Sequence, residues 1–438
     1  MPSMRAEKTV GPKREVLRVD VETDPADPAS SREGARVLVL STVGFTLFFA
    51  VWVMFAVVGI PLRKELGLSD GEFAFLAAIP IFTGSILRVP AGILTDKLGG
   101  RVVFSALLLV TAVPTYLISR AGTYDMLVVL AFFMGLAGVS FAVGIAWVSA
   151  WYPRGRQGFA LGTFGAGNVG ASVTKLLAPT LVTLIAAGGV AGGAVPGGWR
   201  LVPFVYAIML VAMAAVVWLA APTPDHRPGR GRPLPELLQP LKVLRVWRFG
   251  LYYIVVFGAY VALSLWLPKY YVDVYGYELR EAGFLTALFI FPASLLRPFG
   301  GWLSDRFGAR AVTYTSFIVM ALALVGLSFP MGVLPFTALV VVVGAMMGIG
   351  KASVYKYIPE YFPRDVGAVG GLVGAVGGLG GFFLPLLFAW AQGVSGRPQS
   401  TFVVLLAVSL VSLLWLHAVV WRMRRRASSA TLREPVAR

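Results

Sequence analysis

Four basic side chains lie inside long apolar stretches of the sequence, namely Arg88, Lys175, Arg297 and Lys351. A charged side chain at the centre of a bilayer costs at least ~2.5–3.5 kcal/mol, so each marks a candidate functional position. The 21 acidic residues all fall in tails, in loops or in the last turn of an apolar stretch. The four cations therefore lack a carboxylate partner, and the simplest missing anion is a substrate.

Arginine is suited to this chemistry, because its planar guanidinium grips a planar oxyanion with two hydrogen bonds and stays protonated. The alternative for Arg88 and Arg297 is a structural pair that bonds backbone carbonyls between helices. Lys351 can add positive field or carry a proton, or it can snorkel or bond helix carbonyls. Lys175 lies about 27 Å along its helix from Gln157. Snorkelling is favoured there over attraction of anions at an entrance.

Composition excludes most other classes of protein. The chain has 438 residues, of which 57% are hydrophobic and 13% are charged, and its mean hydropathy is +0.78. Soluble domains carry about 25% charged residues, so an ordinary soluble enzyme and a disordered chain are both excluded. With no Cys and two His, the sequence offers no thiolate site and no multi-His metal site. We expect no enzyme activity and no cofactor.

The apolar stretches predict an all-α integral membrane protein. A spanning helix needs roughly 20 residues. Because lipid offers no hydrogen-bond partners, the backbone N–H and C=O groups of a spanning segment must bond to each other, as they do in a helix. Twelve stretches qualify: 37–60, 72–95, 102–119, 126–150, 157–188, 201–221, 249–268, 282–303, 311–329, 334–358, 366–391 and 400–421. Stretch 157–188 is overlong and rich in glycine, which indicates tilt or an early end.

The remaining segments divide the chain into five parts. We predict an N-terminal tail at 1–36, a six-helix half at 37–221, a linker at 222–248, a second six-helix half at 249–421 and a tail at 422–438. Residues 1–36 mix seven basic with seven acidic residues. They lack the apolar core of a signal peptide.

Basic residues set the orientation. With the N-terminus inside, the cytoplasmic segments hold 27 of the 38 Lys and Arg residues and the opposite loops hold 7. This bias predicts a protein of the cytoplasmic membrane with both termini in the cytoplasm. It also explains the net charge of +17 without a nucleic-acid partner.

The second half repeats the first. Residues 87–101 match residues 296–310 at an offset of 209, which pairs Arg88 with Arg297. Arg88 precedes Asp96 by eight residues, about 12 Å along a helix, so it lies near the middle of a core ~30 Å thick. Two six-helix repeats in the same orientation are typical of transporters with a site where the halves meet.

The repeated Gly-x-x-x-Asp-Lys/Arg-x-Gly-x-Arg loops resemble the signature between the second and third helices of the major facilitator superfamily. The resemblance implies a cytoplasmic latch in which Asp96, Arg101, Asp305 and Arg310 bridge helix ends in one conformation. The alternative is a tight turn with solvated charges.

Two glycine-rich stretches, residues 162–179 and 367–385, resemble the paired nitrate signatures of the nitrate/nitrite porter family within that superfamily. The Leu-Arg contexts of Arg88 and Arg297 resemble its two substrate arginines. By this resemblance the arginines clamp nitrate or nitrite, and Asn168 donates a hydrogen bond. The remaining residues assigned to the site are an aromatic wall and a glycine of the second signature: Phe49, Phe141, Tyr253, Phe257 and Gly371.

Small residues at these spacings let helix backbones touch and let the halves move. The glycines assigned to this conformational role are Gly165, Gly167, Gly377 and Gly380, with tight packing alone as the alternative. Two positions depart from the family pattern. Gly374 stands where many members have a small hydroxyl residue, and Lys351 stands where Asn is usual, so Lys351 is a possible coupling residue.

The resulting hypothesis is a monomeric secondary transporter that exchanges nitrate for nitrite by alternating access. Without a bound anion the two arginines repel each other, which disfavours the change between outward-facing and inward-facing states of the empty carrier. Proton-coupled nitrate symport through Lys351 is one alternative, and a carrier of oxalate or formate is another. A membrane receptor that binds an anion without transporting it is a third. The expected partners are a small inorganic anion and the lipid bilayer.

Overall fold

The structure is a computed structural model that describes residues 28–431, and it is almost entirely helical. Residues 1–27 and 432–438, which hold most of the predicted N-terminal tail and part of the C-terminal one, lie outside the described residues. The first helix begins at Pro28 and the last extends to Thr431.

The N-terminal half contains helices α1 to α6, several of them in two or three segments. Their bounds are α1 (Pro28–Trp52 and Phe55–Leu66), α2 (Asp70–Ile86 and Arg88–Leu98), α3 (Gly100–Ile118), α4 (Tyr124–Trp151), α5 (Gln157–Gly165, Ala166–Val169 and Gly170–Leu184) and α6 (Leu201–Ala220).

The C-terminal half contains helices α7 to α12. Their bounds are α7 (Leu244–Tyr275), α8 (Leu279–Leu295 and Arg297–Phe307), α9 (Ala309–Leu327), α10 (Val333–Tyr361), α11 (Val366–Ser395) and α12 (Ser400–Thr431). A short linker helix, Leu234–Leu238, precedes α7.

Eleven of the twelve predicted spans meet the length and hydropathy of a membrane helix within the described chain, when the two segments of α2 count as one bent span. The twelfth, α5, is helical from Gln157 to Leu184 but includes a 3₁₀ turn at Ala166–Val169. Its glycines together with Asn168 and Lys175 lower its mean hydropathy. It ends at Leu184, four residues before the predicted end.

Irregular turns occur where side chains converge on the interior. The second segment of α2 begins at Arg88, α4 has a 3₁₀ turn at Gly135–Val139, and α7 has a π-helical turn at Ile254–Gly258. Such π turns inside α-helices are frequent at functional sites.

The two halves contact each other along two equivalent helix pairs, α2 with α11 and α5 with α8. Glycines permit this close approach. A Cβ on Gly92 would lie 2.0 Å from the carbonyl oxygen of Gly367, and a Cβ on Gly301 would lie 2.0 Å from that of Gly158. Leu237 of the linker helix packs with Ile93 and Ala368, one residue from each half.

Candidate functional site

The two intramembrane arginines begin the second segments of α2 and α8. A proline follows each closely, at Pro90 and Pro298. Because proline lacks an N–H and disfavours a helical conformation at the preceding residue, the helix breaks here. α2 bends by 43° at this point. The Arg88 side chain is 1% exposed and that of Arg297 is 0% exposed.

Phe141 of α4 contacts both arginines, and we call the buried, packed region around them the chamber. The Cζ atom of Arg88 lies 5.5 Å from the centroid of this ring, and the Cζ atom of Arg297 lies 5.4 Å from it. An aromatic face at this distance attracts a cation. One ring therefore contacts one arginine from each half.

Further aromatic rings line the same chamber. Phe141 is nearly parallel to Tyr253 and to Phe257 of α7, with centroids 6.2 Å apart in both pairs. Tyr355 of α10 meets Phe141 edge-on at 4.9 Å. Phe49 is also buried, and it packs against Phe45 and Trp52 of its own helix. Phe141, Phe257 and Tyr253 thus lie beside the arginines, whereas the ring contacts of Phe49 are with Phe45 and Trp52.

Arg88 is held by backbone carbonyls. Its Nε donates to the carbonyl of Gly138 at 3.1 Å, and its Nη1 donates to the carbonyl of Gly374 at 2.6 Å. Gly138 belongs to α4 and Gly374 to α11, so this arginine ties the two halves together.

Arg297 has no such bonds. All three of its guanidinium nitrogens are buried without a hydrogen-bond partner in the described chain. Both side-chain polar atoms of Asn168 and the hydroxyl of Tyr253 also lack a hydrogen bond of good geometry within the described residues, and the Tyr253 hydroxyl lies close to the Arg297 guanidinium. Leaving a buried polar group unpaired costs roughly 1–3 kcal/mol, and more for a charged one. Gly165 faces the Arg297 guanidinium, and Asn168 follows Gly165 by three residues on α5. We therefore treat Arg297, Tyr253 and Asn168 as one group of unmet donors and acceptors that includes an uncompensated positive charge.

Glycines make room for the arginine heads. A Cβ on Gly165 would lie 2.2 Å from the Cζ of Arg297. A Cβ on Gly374 would lie 2.8 Å from the Tyr355 hydroxyl and 3.2 Å from the Cδ of Arg88. At Gly374 the hydroxyl of Tyr355 therefore occupies space that a serine side chain would need.

The other predicted glycines pack against backbone or rings. Gly371 lies against the carbonyl of Arg88, and Gly377 lies against the ring of Tyr253. Gly167 faces Phe45 of α1, and Gly380 faces Ile254 of α7.

Lys351 is fully buried beside the chamber. Its Nζ donates to the carbonyl of Ala293 at 3.1 Å and lies 3.1 Å from the centroid of the Tyr260 ring. Phe257 is 5.9 Å away. The lysine is therefore bonded to a carbonyl, and it also adds positive field near the Arg297 cluster.

Lys175 lines a cavity of about 60 Å³ between the halves. Phe49 and Tyr260 line the same cavity, which runs along α1 and α7. Lys175 is also exposed, so snorkelling and the attraction of anions at an entrance both stay predictions.

The two loops that the repeat shares place two carboxylates across the interface between the halves. Asp96 accepts the backbone N–H of Gly367 at 3.0 Å, at the start of α11. Asp305 accepts the N–H groups of Gly158 and Phe159 at 2.9 and 2.7 Å, at the start of α5. Each carboxylate thus caps a helix of the opposite half, where a helix dipole favours negative charge.

The arginines of these loops bond within their own halves. Arg101 donates to the carbonyl of Trp218 at 2.6 Å, and Arg310 donates to the hydroxyl of Tyr361 at 3.1 Å. Lys356 supplies the basic partner instead, since its Nζ lies 2.6 Å from Asp305.

Two residues of the chamber were absent from the sequence-based assignment. Tyr355 contacts Phe141 and donates to the carbonyl of Gly370, and Trp52 lies 5.6 Å from the Cζ of Arg88. Tyr355 stands one helical turn after Lys351, so the spacing along α10 was an available signal. Nothing in the sequence around Trp52 distinguishes it from the other aromatic residues of the apolar stretches.

The fold and the buried cationic chamber define a multi-pass membrane transporter. The model of the Major Facilitator Superfamily matches residues 40–287 and 278–437. The chain belongs to this superfamily.

Similar proteins agree with this assignment. The chain is 57% identical over 420 residues to a probable nitrate/nitrite antiporter, NarK1, of Thermus thermophilus. This match covers 91% of this chain and 95% of the relative. It is 32% identical to a nitrite extrusion protein of Bacillus subtilis, over 89% of this chain and 95% of the relative. The transporter FucP in its outward conformation shares the fold with a TM-score of 0.69, at 16% identity over 87% of this chain and 99% of FucP.

Proposed function

We propose that this protein carries nitrate and nitrite across the cytoplasmic membrane, with both termini in the cytoplasm, by exchanging one anion for the other. The observation that carries the proposal is the buried cluster of Arg297, Asn168 and Tyr253, whose polar atoms lack partners in the described chain. The name of the Thermus thermophilus relative supports the same substrates.

The chemistry of the cluster suits a small planar oxyanion. Nitrate presents three oxygens in a plane, and a guanidinium can bond two of them side by side. Asn168 and Tyr253 can donate to an anion, while the flat rings of Phe141 and Phe257 match a planar ligand. A bound anion would thus meet donors that the protein leaves unsatisfied.

Alternating access would follow from the two inter-half contacts. The carboxylates of Asp96 and Asp305 hold the cytoplasmic ends together in this conformation. We infer that these caps release when the halves, residues 37–221 and 249–421, rock about the arginine site. Repulsion among Arg88, Arg297 and Lys351 would disfavour the return of an empty carrier, so exchange is favoured.

Nitrate flux into proteoliposomes tests the proposal. We expect uptake to require internal nitrite or nitrate and to be insensitive to a pH gradient. Equal uptake into vesicles without internal anion would rule out obligatory exchange. Uptake that follows an imposed proton gradient would favour symport through Lys351, a fully buried lysine. Competition with oxalate and formate would test the other anions.

A further inference from the structure

The linker residue Asp225 fills a socket at the cytoplasmic end of the N-terminal half. One of its carboxylate oxygens accepts the backbone N–H of Arg101 at 2.8 Å, in the first turn of α3. The other accepts the indole N–H groups of Trp147 and Trp151 at 3.2 and 2.9 Å. One backbone N–H at a helix N-terminus and two indole N–H groups thus hold one anionic group.

The repeat carries the same positions into the C-terminal half. Arg101 corresponds to Arg310 at an offset of 209, and the two tryptophans correspond to Tyr357 and Tyr361 at an offset of 210. In this half the three residues line a cavity of about 420 Å³. We call it the Arg310 cavity. Glu360 also lines it, but within the described residues its carboxylate bonds none of these donors.

The donors of the Arg310 cavity remain available. Tyr357 is 4% exposed, and its buried hydroxyl has Thr313 as a polar neighbour but makes no hydrogen bond of good geometry within the described residues. The neighbouring Thr313 hydroxyl is engaged by Ala309 and Ser353. Tyr361 accepts from Arg310 at 3.1 Å, which leaves its own proton free to donate.

We propose that the Arg310 cavity binds a phosphate oxyanion in the place that the Asp225 carboxylate holds in the other half. Phosphate suits a cavity of about 420 Å³, since it offers more acceptor oxygens than a carboxylate. Val420 of α12 lines the cavity and Arg310 approaches Met423, so the site lies at the cytoplasmic end of membrane helices. An anionic phospholipid headgroup is therefore the favoured source, and soluble phosphate shares its chemistry. The inference depends on the proposed orientation but not on the anion transported.

Lipid retention by the purified full-length protein tests this site. Native mass spectrometry after incubation with phosphatidylglycerol or phosphatidylcholine vesicles would count bound lipids. We expect the wild type to retain phosphatidylglycerol selectively, and Tyr357→Phe and Arg310→Gln to retain at least fivefold less. Arg156→Gln, which removes an exposed charge from the cytoplasmic loop of the other half, serves as the matched control and should behave like the wild type.

The response to inorganic phosphate distinguishes a phospholipid headgroup from soluble phosphate as the source of the bound oxyanion. If it raises the unfolding temperature of the wild type but not of Tyr357→Phe, while no phospholipid is retained, the oxyanion site stands and its source is soluble. Equal lipid retention and equal phosphate response in all four proteins would overturn the site. Tyr361→Phe replaces Tyr357→Phe if the latter does not fold.

Discussion

The two halves present equivalent arginines in different states. Arg88 donates to two backbone carbonyls, one of them from the opposite half, whereas the guanidinium of Arg297 has no partner in the described chain. Both are buried and both lie about 5.5 Å from the same phenylalanine ring. Repetition of the sequence has therefore not produced repetition of the bonding.

This difference separates two roles that one residue type can play. Arg88 matches the geometry of a structural arginine that bonds carbonyls between helices, and it still points one face at the chamber. Arg297 lies close to Tyr253, and its guanidinium, the Tyr253 hydroxyl and the Asn168 side chain all lack hydrogen-bond partners within the described residues. We infer that Arg297 dominates anion binding and that Arg88 couples the anion to the contact between halves.

The largest expected effect comes from removing the unpaired charge. Arg297→Gln should lower nitrate flux by at least about 100-fold, since each charge-assisted hydrogen bond contributes about 1.5–3 kcal/mol and 1.4 kcal/mol is tenfold. The unfolding temperature in detergent should stay the same or rise, because an uncompensated buried charge is removed. A clear loss of stability would show that the protein itself satisfies Arg297.

Arg88→Lys should reduce flux by about tenfold or more and should also destabilise the protein. Lysine keeps the charge but loses the fork, so the carbonyl of Gly138 or of Gly374 loses its donor, at about 1–3 kcal/mol. The protein should still fold. Flux measurements paired with thermal unfolding check both effects, and normal transport by this variant would remove Arg88 from the site.

Substitution of the glycines beside the two arginines should also affect the Arg297 side more than the Arg88 side, with a smaller effect on transport. Gly165→Ala places a methyl group 2.2 Å from the Cζ of Arg297, so we expect about a tenfold rise in the KM for nitrate. Gly374→Ala meets the Tyr355 hydroxyl at 2.8 Å and should change KM less. Gly283→Ala, which meets nothing within 4 Å, is the control. Equal KM values for all three variants would contradict the packing argument.

The smallest effect should appear at the cytoplasmic caps. Asp305 accepts two backbone N–H groups and pairs with Lys356, while Asp96 accepts from Gly367. Asp305→Asn should therefore shift the population towards the inward-open state by a few-fold, and Asp96→Asn should shift it less.

The absence of native cysteines makes this shift measurable. Spin labels on Lys97→Cys and Arg306→Cys would report the distance between the cytoplasmic ends of the two halves. An unchanged distance distribution in both aspartate variants would exclude a gating role for the caps.

Much of the fold was predictable because membrane helices are specified locally. The hydropathy of each stretch predicted the spans, and the matching of residues 87–101 with 296–310 predicted the two-repeat fold. The one weak span, α5, is where glycines, Asn168 and Lys175 dilute the signal. The 3₁₀ and π turns in α4, α5 and α7 were not predictable, since they depend on packing between helices rather than on local preference.

The sequence by itself determined that basic side chains stand inside long apolar segments with no carboxylate in their interior, because hydropathy and residue type are properties of single segments. Only the tertiary structure decided which of the two arginines is bonded. That outcome depends on where the carbonyls of Gly138 and Gly374 lie, and these belong to helices distant in sequence. Two identical side chains at equivalent positions thus differ because hydrogen bonding in a buried site is set by neighbours in space.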